Sequence, residues 1–113
     1  MHTYTPMTME AFDLSLADPA PPPGLPDHLL ALWHDARGDW QTAHALVEEG
    51  LTPPACHVHA YLHRREGDMS NARYWYRRAG EVAADGPGET EYRALLARYL
   101  RPNQGDRGAL PQS

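Results

Sequence analysis

The sequence predicts an all-α fold: two antiparallel αα-hairpins of one design, a C-terminal helix that caps them, and a flexible proline-rich N-terminal arm. Three observations predict it. Apolar residues recur at three- and four-residue steps through most of the chain, a helical period that argues against strands. Two Gly-Asp pairs, Gly38-Asp39 and Gly67-Asp68, break that period where one helix should stop and the next should begin. The chain also overlaps itself when shifted by 29 residues. Ala31 then falls on Ala60, His34 on His63, Gly38-Asp39 on Gly67-Asp68, Ala43 on Ala72, and Leu46-Val47 on Trp75-Tyr76.

Residues 1–26 form the arm. Thr8 is a candidate N-cap, and Met9, Phe12 and Leu16 fall near helical spacing; Phe12, Leu14 and Leu16 also alternate as in a strand, and both readings stand. Pro21, Pro22 and Pro23 favour an extended polyproline segment, read as a stiff connector across the domain, with docking on a partner's aromatic groove as the alternative. The helical-repeat domain covers residues 27–101. Helix one runs from Pro26 to Arg37, opened by Asp27 and stopped by Gly38. Helix two runs from Trp40 to Glu49, capped by Asp39. Helix three follows Thr52 and runs from Pro54 to Glu66. Helix four starts at Met69 behind the Asp68 cap and continues to about Ala83. Asp85-Gly86-Pro87-Gly88 is a breaker, and a fifth helix from Glu89 to Arg101 carries an apolar stripe of Tyr92, Leu95, Leu96, Tyr99 and Leu100. Residues 102–113 are polar and read as a disordered tail.

The chain of 113 residues fits one domain, and its 11 prolines and 9 glycines gather towards its ends. Its single cysteine, Cys56, excludes an intramolecular disulfide and a cysteine-rich zinc site, and fits a reducing compartment. No run approaches a membrane span, and the first residues, MHTYTPMTMEAF, lack the basic and apolar regions of a secretory signal. A soluble, cytoplasmic protein is therefore expected. Charge is uneven. Residues 1–56 hold eight acids against Arg37 alone, whereas residues 57–80 hold five arginines against Glu66 and Asp68. The acidic total of −5 argues against a nucleic-acid binder; the local arginine excess suits a carboxylate or phosphate.

In the second copy, Ala60, Gly67-Asp68-Met69, Ala72, Tyr76 and Ala79 follow one another as small residue, turn, small residue, aromatic and small residue. The first copy has Ala31, Gly38-Asp39-Trp40, Ala43 and Val47. This pattern, over residues 27–83, resembles the tetratricopeptide repeat. The period is shorter than that family's ~34 residues, and Gly50 stands where the second copy has Ala79. The run AYLHRREGDMSNARYWYRRAG also resembles a small bacterial family without an assigned activity. The tetratricopeptide resemblance implies peptide or protein binding on a concave helical surface. The groove-lining polar positions it implies are His59, His63 and Glu66 on helix three and His34 on helix one. Because two hairpins alone bury little core, the fifth helix and the arm are expected to cover the two ends. If either fails to dock, self-association as a homodimer is expected.

Three clusters invite chemistry. His59 and His63 lie four residues apart on one helix face, the spacing of a transition-metal pair, and His34 is the candidate third ligand; histidines packed beside aromatics are the plainer reading. Arg73 and Arg77 also lie four apart and suit an acidic peptide or phosphate, unless surface acids pair with them. Cys56 and His57 are neighbours in sequence and so point apart on a helix, which leaves Cys56 as a core residue. No complete catalytic constellation is present. The expected function is protein or peptide binding or scaffolding, without catalysis, cofactor, nucleic acid or membrane; transition-metal binding by the helix-borne histidines is the alternative.

Overall fold

The structure, a computed structural model, describes residues 7–100. Six α-helices and no strand lie among the described residues: α1 (Met9–Ser15), α2 (Asp27–Ala36), α3 (Trp40–Val47), α4 (Pro53–Arg65), α5 (Met69–Ala79) and α6 (Gly88–Tyr99). None is long and apolar enough to cross a membrane.

The helix ends follow from local chemistry. Thr8 Oγ1, Asp39, Thr52 Oγ1 and Asp68 each accept a hydrogen bond from a backbone N–H three residues on, which caps α1, α3, α4 and α5. The two Gly-Asp loops have the same geometry. Gly38 and Gly67 adopt φ of 86° and 89°, a region that favours glycine. The amides of Asp39 and Asp68 then donate to the carbonyls of His34 and His63, each at 2.9 Å. The 29-residue offset seen in the sequence is thus a repeated backbone device.

One boundary differs clearly from expectation. Helix four stops at Ala79, not near Ala83. Gly80 turns left-handed at φ 75°, and the Glu81 amide donates to the Tyr76 carbonyl at 2.9 Å. That motif closes a helix more decisively than the alanine-rich sequence after it can extend one.

α2 packs mainly on α3, and α4 on α5; α3 and α2 meet α4, and α6 lies on α4 and α2. Ala31, Ala43, Ala60 and Ala72, the small residues of the repeat, are all 0% exposed, which lets neighbouring backbones approach. The main core gathers Leu29, Leu32, Trp33, Val47, Val58, Leu62, Leu95 and Leu96; Ala60, Ala72 and Tyr76 form a second cluster under Trp75 and Ala84.

The proline-rich arm departs from its expected flexibility. From Met7 on it is docked on α2 and α6. α1 takes the helical alternative and puts Phe12, fully buried, into the main core. The Trp33 indole donates to Ser15 Oγ at 3.1 Å, and Arg37 donates to the carbonyls of Leu16 and Asp18, both at 2.7 Å. An apolar anchor with satisfied polar flanks offsets the entropy that would otherwise keep the segment free. The disordered tail expected over residues 102–113, like the end of helix five at Arg101, lies outside the described residues. α1 and α6 are both docked, but α6 packs on α4 and α2, so among the described residues the outer side of α5 carries no covering helix.

A buried ionic knot ties α6 down. Glu91 accepts from Arg64 at 2.7 Å through one carboxylate oxygen and from the Tyr76 hydroxyl at 2.6 Å through the other. Arg64 also donates to the Gly86 carbonyl. Replacing Glu91 by alanine leaves a guanidinium only 11% exposed without its counter-charge. Urea unfolding of Glu91→Ala is expected to show a loss of about 3 kcal/mol. Glu89→Ala, at a side chain 71% exposed, should stay within about 0.5 kcal/mol of the parent.

Candidate functional site

The centre of the molecule is α4, whose residues Ala55 to His63 are all buried. Two of them, His59 and His63, share a face, as the sequence predicts, with ring centroids 4.9 Å apart. The third histidine of the group is not His34. It is His44, on α3, which faces α4 across the seam between the two helix pairs. Its Nε2 lies 3.1 Å from His59 Nε2. A ring nitrogen from each of His44, His59 and His63 lies within 4.8 Å of the other two. His34 occupies the last turn of α2, half-buried beside the Trp33 ring and outside this group.

His44 was the residue sequence reasoning missed. A signal for it existed: it stands one helical turn after Trp40, on the side of α3 that leads towards α4. The 29-residue repeat hid it, because its counterpart is Arg73, not a histidine.

Aromatic rings hold the cluster. His44 stacks on Trp40 with centroids 4.7 Å apart and planes at 9°; His59 stacks on Trp75 at 4.0 Å and 19°. The Trp40 indole donates to the Leu62 carbonyl at 2.7 Å, which pins α3 against the last turns of α4. Carboxylates stand behind two of the rings. His63 Nδ1 donates to Glu66 at 2.8 Å, and His44 Nδ1 lies 3.2 Å from Glu48. Each carboxylate favours the tautomer with the proton on Nδ1 and the lone pair on Nε2. Glu66, a predicted binding residue, therefore orients His63.

His59 is 3% exposed, and its Nδ1 has no hydrogen-bond partner. Burial, reinforced by His63 and His44, pushes its pKa from 6.5 down to about 4. The ring is thus neutral at physiological pH.

Arg73 and Arg77 are exposed on α5, one turn apart, in contrast to the buried His59 and His63. Among the described residues, Arg37, Arg64, Arg65, Arg78, Arg93 and Arg98 all have oxygen partners, whereas Arg73 and Arg77 have none. Arg64 and Arg65 are spent on Glu91 and Asp35. Met69 and Tyr74 beside the free pair are 41% and 43% exposed. The predicted site residues therefore fall into three places: His59, His63 and Glu66 at the seam, Arg73 and Arg77 on the exposed face of α5, and His34 apart from both on α2.

Cys56 is buried, its thiol donates to the Gly50 carbonyl at 3.6 Å, and desolvation raises its pKa. That makes it a poor nucleophile. Its neighbour His57 points elsewhere, to the Tyr99 hydroxyl at 2.8 Å. The chain matches no family model, no curated protein and no solved structure.

A falling pH should act on His59 directly. Its pKa is lower in the folded chain than in the unfolded one, so its contribution to stability is complete above pH 6.5. It is lost as pH falls from there to about 4, where the unfolded chain takes up the proton first. Urea unfolding in the presence of a chelator should show that loss, roughly 3 kcal/mol from this group. His59→Phe, which keeps a ring against Trp75, should flatten the slope.

Proposed function

We propose that the protein is a small tetratricopeptide-like module that holds an acidic segment of another protein, and that it acts by binding and not by catalysis. The observation that carries the reading is the unpaired Arg73–Arg77 face of α5. Its position within the repeat supports it. On α3, Trp40 and His44 face α4; their counterparts on α5 are Met69 and Arg73. Among the described residues no further helix pair covers those residues, and α6 packs on α4 and α2 instead. Among the described residues this end of the repeat is uncovered, lined by two guanidiniums with Met69 and Tyr74 beside them. Guanidiniums bind carboxylates through paired hydrogen bonds, and exposed aromatics add contact area at low entropic cost.

A second copy of the chain is one acidic partner of this kind. Glu48 and Glu49 stand 29 residues before Arg77 and Arg78, so equivalent positions of the two hairpins carry opposite charge. The reading includes a location in the bacterial cytoplasm, supported by the resemblance to a bacterial family and by the lone buried cysteine.

Affinity capture with the parent and with Arg73→Glu/Arg77→Glu tests the proposal. Both side chains are solvated, so the variant should keep its circular-dichroism spectrum. It should lose each specific partner by roughly tenfold or more, with parent binding weakened by salt. Unchanged capture of every specific partner removes this face from the function. Mass in solution shows whether that partner is a second copy.

A further inference from the structure

We infer that His44, His59 and His63 form a binding site for one divalent transition-metal ion of the zinc class, set on the seam between the two helix pairs. The inference is independent of the arginine face. It rests first on spacing. Zinc–nitrogen bonds of 2.0–2.1 Å in a tetrahedral site put ligand nitrogens about 3.3 Å apart. His44 Nε2 and His59 Nε2 already stand 3.1 Å apart, and the third ring offers its nitrogen within 4.8 Å of both.

The proton arrangement points the same way. The carboxylates of Glu48 and Glu66 favour protons on Nδ1 of His44 and His63, which leaves the Nε2 lone pair of each ring available; that of His44 faces His59. Without an ion, a proton on His59 Nε2 bridges to the His44 lone pair; an ion would take its place and leave that proton on His59 Nδ1, which has no other partner. A carboxylate behind a histidine is also the usual outer support of a metal-bound imidazole; it fixes the ring and raises its basicity. Stacking on Trp40 and Trp75 holds His44 and His59 in place before any ion arrives, so little ordering remains to oppose binding.

Three imidazole nitrogens with no inner carboxylate suit zinc, cobalt, nickel or copper over magnesium or calcium. Three protein ligands leave a fourth position for water or for a donor from outside the chain. The His44 side chain is 23% exposed, so the centre is approached from the α3 side. The other acidic grouping, His63 with Glu66 and Asp68, is a weaker candidate because Asp68 is already committed to capping α5. An ion at His44, His59 and His63 joins α3 of the first pair to α4 of the second. It would therefore fix the angle between the two pairs.

Tag-free protein, freed of metal by a chelator, can be titrated with cobalt(II) and read by the visible bands of a tetrahedral nitrogen site. Saturation is expected at one equivalent, with displacement by zinc. His44→Gln and His63→Gln should each weaken binding by about 100-fold, and Glu66→Gln by about tenfold. His34→Gln is the control and should bind as the parent does. Zinc should raise the melting temperature of the parent and of His34→Gln but not of His44→Gln. Absence of a one-equivalent endpoint in the parent overturns the inference, as does a His44→Gln variant that binds like the parent or a His34→Gln variant that loses binding equally.

Discussion

The structure depends on the burial of α4 on all sides. From Ala55 to His63 every residue is buried, although three of the nine are histidines, and the helix then ends in Arg64 and Arg65. Burying polar groups is costly unless each finds a partner. The surrounding helices supply Tyr99 for His57, His44 for His59, Glu91 for Arg64 and Asp35 for Arg65, and the C-cap of α4 itself supplies Glu66 for His63. α3, α6 and α2 are thus held to α4 by directional contacts as well as by apolar packing. The arrangement has few alternatives, because sliding any one helix strands a buried charge or a ring nitrogen.

The two helix pairs share a loop device and diverge in what they face. Gly38-Asp39 and Gly67-Asp68 build the same turn, and the four buried alanines set the same close packing. At the outer positions the copies part. Trp40 and His44 meet α4; their counterparts Met69 and Arg73 look outward, because the sequence after α5 breaks at Gly80 and returns to α4 through α6. One repeat position thereby yields an interior histidine centre in the first copy and an exposed cationic face in the second.

The two features make different physical demands. The histidine centre is rigid, desolvated and braced by stacked rings, which suits a small ion. The arginine face is solvated, so its pairing with a partner would be sensitive to salt and would contribute more to approach and selectivity than to raw affinity. Neither offers a nucleophile with a base beside it: Cys56 has a raised pKa and a carbonyl partner, and His57 is bound to Tyr99.

Helical period, the Gly-Asp turns and the repeat were legible in the sequence because they are local: capping, left-handed glycine and i, i+4 spacing involve residues a few positions apart. His59 with His63, and Arg73 with Arg77, were legible for the same reason. What tertiary structure alone decided involves distant parts of the chain. It chose His44 over His34 as the third histidine, 15 residues from His59, since only the packing of α3 on α4 brings those rings together. It made Glu91 a buried partner of Arg64 and Tyr76, 27 and 15 residues away. It also brought the proline-rich arm onto the core through Phe12, because a stiff segment with one well-placed aromatic gains more by burial than it loses in freedom.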